Sequence, residues 1–119
     1  VMAYVVGFVV PVPKTKLAAY KAMARKFGKL WIKYGALSYM ECVADDVKPG
    51  KLTSFPQAVK LKKGETVIFA YATYKSRRHR DQVDKLVFAD PAVQKMEMSK
   101  VPFDGKRMFW GGFKVIINL

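Results

Sequence analysis

Three stretches of this chain are apolar at odd and even positions alike, and that pattern limits the folds open to it. From Ala3 to Val12, Val5, Gly7 and Val9 alternate with Val6, Phe8 and Val10. From Glu65 to Tyr74, Val67, Phe69 and Tyr71 alternate with Ile68, Ala70 and Ala72. Near the end, Met108 and Trp110 alternate with Phe109, Phe113 and Val115. β-Branched and aromatic residues of this kind favour strands, and Pro11 with Pro13 closes the first one. A strand that is apolar on both sides belongs in a sheet covered on both faces.

The segments between have a different period. Leu17, Tyr20, Ala24, Phe27, Trp31 and Tyr34 follow one stripe of an amphipathic helix. Thr15 is placed to cap it and Gly35 to end it. Ala36 to Ala44 predicts a second strand, and Pro49-Gly50 punctuates the turn after it. Residues 51–63 predict a long connection. Ser76 is placed to cap a second helix with the inner stripe His79, Val83, Leu86 and Val87, broken at Asp90-Pro91 before a short helical turn. The last strand is predicted over Lys106 to Leu119, with Gly111-Gly112 marking a bulge or a close backbone approach. The order strand, helix, strand, strand, helix, strand is the split βαβ pattern. It predicts an α+β, ferredoxin-like βαββαβ antiparallel sheet with two helices on one face. The 119 residues fit one domain, 1–119.

Two helices cover one sheet face and leave the other, equally apolar, without a partner. The hydrophobic content of 51% exceeds what a domain of this size needs for its own core. Burying apolar surface is worth about 25 cal/mol per Å². The simplest cover is a second copy: a homodimer packed sheet to sheet, a dimeric α+β barrel. The alternative is a helical cover formed by residues 51–63. A small apolar or aromatic molecule would fit between two such sheets.

Lys and Arg number 22 against 9 acidic residues, a net charge of +13. No acid precedes Glu41, whereas seven basic residues do. Lys21, Arg25, Lys26, Lys29 and Lys33 are expected on an exposed arc opposite the first helix's apolar stripe. Like charges at i,i+4 repel by roughly 0.2–0.5 kcal/mol per pair. An uncompensated face therefore favours weak contact with RNA or another polyanion as an alternative function. No aromatic residue on that face offers base stacking, and no RNA-reading motif accompanies it.

Cys42 and His79 each occur once, which excludes an internal disulfide and a closed zinc site. No metal or other cofactor is expected, and a single thiol fits the reducing cytoplasm. The apolar segment 1–12 has no basic leader and is shorter than the about 20 residues that span a bilayer, so no membrane contact is expected. Met2 reads as an initiator, with Val1 an addition before it.

Few residues can carry chemistry. Glu41, with Tyr39 beside it and Asp45 and Asp46 following, is a strand-end carboxylate suited to general acid or base work. The plainer expectation is that it pairs with a Lys or Arg while the aspartates build a turn. Asp104 and Arg107 flank a tight turn in which Gly105 would take positive φ. Arg107 could clamp a ligand carboxylate or phosphate, or lock the turn by pairing with Asp104. His79 titrates near neutrality when unperturbed, but its place on an inner helical stripe suits packing. Glu41, Asp104 and His79 are thus the catalytic candidates, and Tyr39, Glu41, Arg107 and Trp110 the ligand-binding ones. Glu41, Asp104 and Arg107 are expected around one pocket. Cys42 reads as a small buried hydrophobe.

Several segments carry a family resemblance. They are Ala3-Tyr4-Val5 through Gly7-Phe8-Val9, Glu41-Cys42 with Asp45-Asp46-Val47 and Gly50-Lys51, Ser76 with Arg80-Asp81, and Asp90-Pro91. The most specific is Pro102-Phe103-Asp104-Gly105-Lys106-Arg107-Met108 followed by Gly111-Gly112-Phe113. In these the chain resembles the YbaA-like family of bacterial proteins, a domain of unknown function. The resemblance implies a dimeric α+β barrel, a fold shared with small heme-degrading and quinone-forming monooxygenases, so a cofactor-independent monooxygenase-like enzyme is a further alternative. It implies no activity by itself. The chain departs from the family at Val6, where an aspartate is usual, and at Ser54, where an acid is common.

Overall fold

The structure is a computed structural model that describes residues 2–119; Val1 lies outside the described residues. In chain order it contains β1 (Tyr4–Pro13), a 3₁₀ turn (Lys14–Lys16), α1 (Leu17–Lys33), β2 (Ser38–Val43) and α2 (Phe55–Ala58). Then come β3 (Glu65–Tyr74), α3 (Arg77–Ala89), α4 (Pro91–Gln94), a second 3₁₀ turn (Met98–Lys100) and β4 (Phe109–Lys114). The sheet order is β2-β3-β1-β4, antiparallel throughout. This is the ferredoxin-like arrangement the strand-helix pattern requires, with α1 and α3 on one face.

The helix-covered face holds most of the core. Under α3, Tyr4, Val6, Ala72 and Tyr74 pack with Val83 and Val87. Under α1, Val10, Val12, Ile68 and Ala70 pack with Tyr20 and Ala24. Val6 is therefore a core residue. The predicted stripe of α1 faces the sheet: Tyr20 and Ala24 are buried, and Leu17, Trp31 and Tyr34 pack against the core. Only Phe27 departs, half-buried away from these clusters, while Gly28 is buried in the helix face toward β2. A Cβ there would come within 2.7 Å of the Tyr39 ring, so only glycine lets β2 place that ring against the helix.

Other local expectations are corrected. Thr15 caps nothing; it lies inside the 3₁₀ turn, and Lys16 stands at the N-cap of α1 without a side-chain hydrogen bond. Gly35, at φ +122°, closes the helix as expected, and Ser76 caps α3 by accepting the His79 N–H. Leu86 is half exposed, since only Val83 and Val87 reach the sheet. Gly105 is not among the positive-φ glycines, which are Gly35 and Gly64. Gly111 and Gly112 form no bulge, because β4 stays in register with β1 from Phe109 to Lys114. Gly112 is instead a close approach, with the Tyr4 ring and hydroxyl filling the place where a Cβ would stand. The last strand ends at Lys114, and Ile116, Ile117 and Leu119 are exposed.

The opposite face is covered only at one end. There Val59 of the 51–63 connection packs on Val9 and Val67, and Phe55 meets Phe69 edge-on at 6.1 Å. Ser54 caps α2 through the Gln57 N–H, a task that an acidic side chain also performs. Beyond that end, Met40, Phe69, Phe109 and Phe113 remain 43–65% exposed. Among the described residues no helix is long and apolar enough to cross a membrane.

Candidate functional site

Glu41 occupies the middle of β2, opposite Ala70, and so projects to the helix-covered face. A carboxylate placed there must find donors within the protein. It finds two hydroxyls. Tyr20 of α1 donates to Oε1 at 2.7 Å, and Tyr39 donates to Oε2. Neither a Lys nor an Arg pairs with it, which corrects the expected ion pair. Burial, reinforced by the Glu41 charge and hydrogen bonds, pushes both tyrosine hydroxyls far above the ordinary tyrosine range. Both therefore stay protonated and remain donors. Tyr39 is fixed further by stacking on Trp31 at 6.2 Å, and Tyr20 by the edge contact with Phe103 at 6.0 Å.

This carboxylate lies in a cleft of about 550 Å³ between α1 and β2. Leu17, Ala24, Ile32, Val43 and Ile68 give it apolar walls, and Cys42 also lines it. Lys21, Arg25 and Lys29, one turn apart along α1, line its helical side. The basic residues of α1 thus divide, which corrects the single outward arc. Lys26 lies by a different groove, over the Phe27 ring, and Lys33 sits over Tyr34. All five are exposed.

Arg107 and Asp104 are elsewhere. Arg107 grips Glu65 with Nη1 and Nη2, both at 2.7 Å. Its Nε donates to Asp104 at 2.8 Å, and Nη1 also reaches the Lys60 carbonyl at 3.1 Å. The turn-locking reading of Asp104 is the one realised, with Glu65 as an unforeseen second partner. Arg107's hydrogen bonds hold both carboxyls below their ordinary range. Glu65 shares the odd-numbered face of β3 with Val67, opposite to the face of Glu41. Five residues along the strand add a separation of about 17 Å. The expected common pocket for Glu41, Asp104 and Arg107 does not form.

Trp110 is also apart from Glu41. It lies on β4, the far edge of the sheet from β2, 60% exposed and 6.4 Å from Phe8. Three strand spacings, about 14 Å, separate the two edges. His79 is a packed residue: its Nδ1 accepts the Lys75 N–H at 2.9 Å and its ring meets Tyr74 edge-on. Asp45 and Asp46 are exposed beyond the strand end. Among the described residues no cluster of His, Cys, Asp and Glu could hold a metal ion.

Two site residues escaped sequence reasoning. Tyr20 reads as core because it falls on the apolar stripe, and Gly28 has no pattern of its own. A hydroxyl on a buried stripe was the available signal, since it requires an acceptor.

The fold and the tyrosine-held carboxylate describe a ferredoxin-like α+β protein with a cleft under its first helix. The family model described as "Protein of unknown function (DUF1428)" matches residues 3–105, and the chain belongs to that family. It is 45% identical over 117 residues to the "Uncharacterized protein YbaA" of Escherichia coli K12, covering 98% of this chain and 99% of the relative. The protein of the same name from Shigella flexneri matches to the same extent. Among solved structures, a dimeric ferredoxin-like protein from an uncultured marine organism superposes with a TM-score of 0.57 at 9% identity, over 100% of this chain and 98% of that one.

Proposed function

We propose that this protein is a homodimer that binds a small molecule in the cleft between α1 and β2 of each copy. The observation that carries the ligand reading is the Glu41 carboxylate, held by Tyr20 and Tyr39 at an otherwise apolar cleft. Glu41 is half-buried, and a carboxylate fixed by its own donors in an apolar cleft is the kind of placed polar group that orients a small ligand. The open sheet face offers a second depression, lined by Val5, Phe69, Tyr71, Thr73 and Phe113, where a molecule between two sheets would lie. Its polar groups are already satisfied: Ser38 and Thr73 bond each other, and Tyr71 donates to Met40. That leaves it little to offer a ligand, and a second copy is its natural cover.

The dimer reading rests on the exposure of Met40, Phe69, Phe109 and Phe113 on one sheet face, and it agrees with the dimeric state of the marine neighbour. Sedimentation should give a dimer at micromolar concentration, and Phe69→Glu should give monomers. A monomeric parent would overturn the dimer. Native mass spectrometry of the parent should detect a retained small molecule, which Val43→Trp, by filling the cleft, should expel. Retention of the same molecule by that variant would overturn the cleft.

A second reading, weak binding of RNA or another polyanion, rests on the exposed Lys26 and Lys33 and the +13 charge. Its mark is affinity that falls steeply with salt and does not respond to Val43→Trp.

A further inference from the structure

We propose that the cleft selects amphipathic carboxylates: an apolar body on the order of ten carbons with a single acidic head. The inference rests on the reading of the cleft as a ligand site and adds the class of ligand. Lys21, Arg25 and Lys29 stand at i, i+4 and i+8 on the helical side of the cleft. None of the three enters an ion pair among the described residues. Their mutual repulsion is relieved when an anion settles between them.

The walls decide what kind of anion. Leu17, Ala24, Ile32, Val43 and Ile68 present hydrocarbon below that basic row. An inorganic ion leaves them wet, whereas an amphiphile covers them. Glu41 then sets the direction. Both of its oxygens already accept tyrosine hydroxyls, so its charge demands no cation from a ligand. That charge still repels an acid, so the acidic head stays at the basic side and the apolar body lies inward. A cationic amphiphile meets three like charges at the entrance.

The test titrates the full-length parent with decanoate, decan-1-ol and decyltrimethylammonium below their aggregation limits, following backbone amides by NMR. Decanoate should shift amides of 24–29 and 39–43, and bind roughly tenfold more tightly than decan-1-ol, the effect of one charge-assisted contact. The cation should not bind there. The variant Lys21→Gln/Arg25→Gln/Lys29→Gln, altered only at exposed positions, should bring decanoate down to the affinity of decan-1-ol and leave decan-1-ol unchanged. Val43→Trp should abolish binding of both. Equal affinities for acid and alcohol in the parent, with shifts in the cleft, would overturn the selection of anions and leave the ligand site standing. Shifts confined to the open sheet face around Phe69 and Phe113, or none at all, would overturn the ligand site and the inference with it.

Discussion

The two half-buried strand glutamates, Glu41 and Glu65, lie on opposite faces of the sheet and are held in opposite ways. Glu65 faces Arg107, which satisfies both its oxygens and then uses Nε on Asp104 and Nη1 on the Lys60 carbonyl. The pair is electrically complete and fills its own site. Glu41 is held by two neutral hydroxyls, which bring no compensating charge, and the space beside it stays open. A cation closes a site, whereas neutral donors position a carboxylate and leave it chemically available. The first arrangement staples two loops to the start of β3. The second resembles a binding site.

The comparison breaks most visibly at Arg107. Arg107→Ala should destabilise the fold by about 3 kcal/mol, because it strands a largely buried Glu65 carboxylate. Urea denaturation measures this, and a loss no larger than that of a surface pair would mean that Glu65 is hydrated in the variant.

Next is Gly28→Ala. Alanine usually stabilises a helix interior by about 1 kcal/mol relative to glycine. Here its Cβ would meet the Tyr39 ring at 2.7 Å, so the change should cost about 2 kcal/mol through overpacking. Thermal unfolding reads the sign directly.

A smaller effect is expected from Glu41→Gln, about 1 kcal/mol, since an amide still meets both hydroxyls less favourably. The sharper readout is tyrosine ionisation followed by ultraviolet absorbance. Tyr20 and Tyr39 should titrate at lower pH in the variant than in the parent, because the Glu41 charge and hydrogen bonds are gone. Both should still stay above the ordinary 10.0, because burial is the larger cause.

The smallest effect is one of pH. Hydrogen bonds from Arg107 lower the Glu65 carboxyl from its ordinary 4.5. As pH falls, the unfolded chain takes up this proton first. The stabilisation is therefore complete above about pH 4.5 and is lost as pH drops through the lower folded-state value. Urea midpoints of the parent and of Glu65→Gln should differ by a constant amount near neutrality and converge at acid pH.

The amino-acid sequence by itself determined the element order, the bounds of β3, the Ser76 cap, the Gly35 stop and the apolar character of the second sheet face. These follow from local periodicity and from residues whose backbone preferences act where they stand. It also isolated Glu41 as the strand carboxylate that needs an explanation. What it left open were the partners. Whether Arg107 meets a ligand or Glu65 depends on how β4's approach loop lies against the start of β3, 42 residues away in sequence. Whether Tyr20 is plain core or a donor to Glu41 depends on how α1 is rotated over β2. That rotation is set by Gly28 against the Tyr39 ring, a contact with no period and no motif. The same rotation brings Lys21, Arg25 and Lys29 over the cleft. Tertiary packing alone made that choice, because side chains distant in sequence become donors, acceptors or walls only once their backbones are brought together.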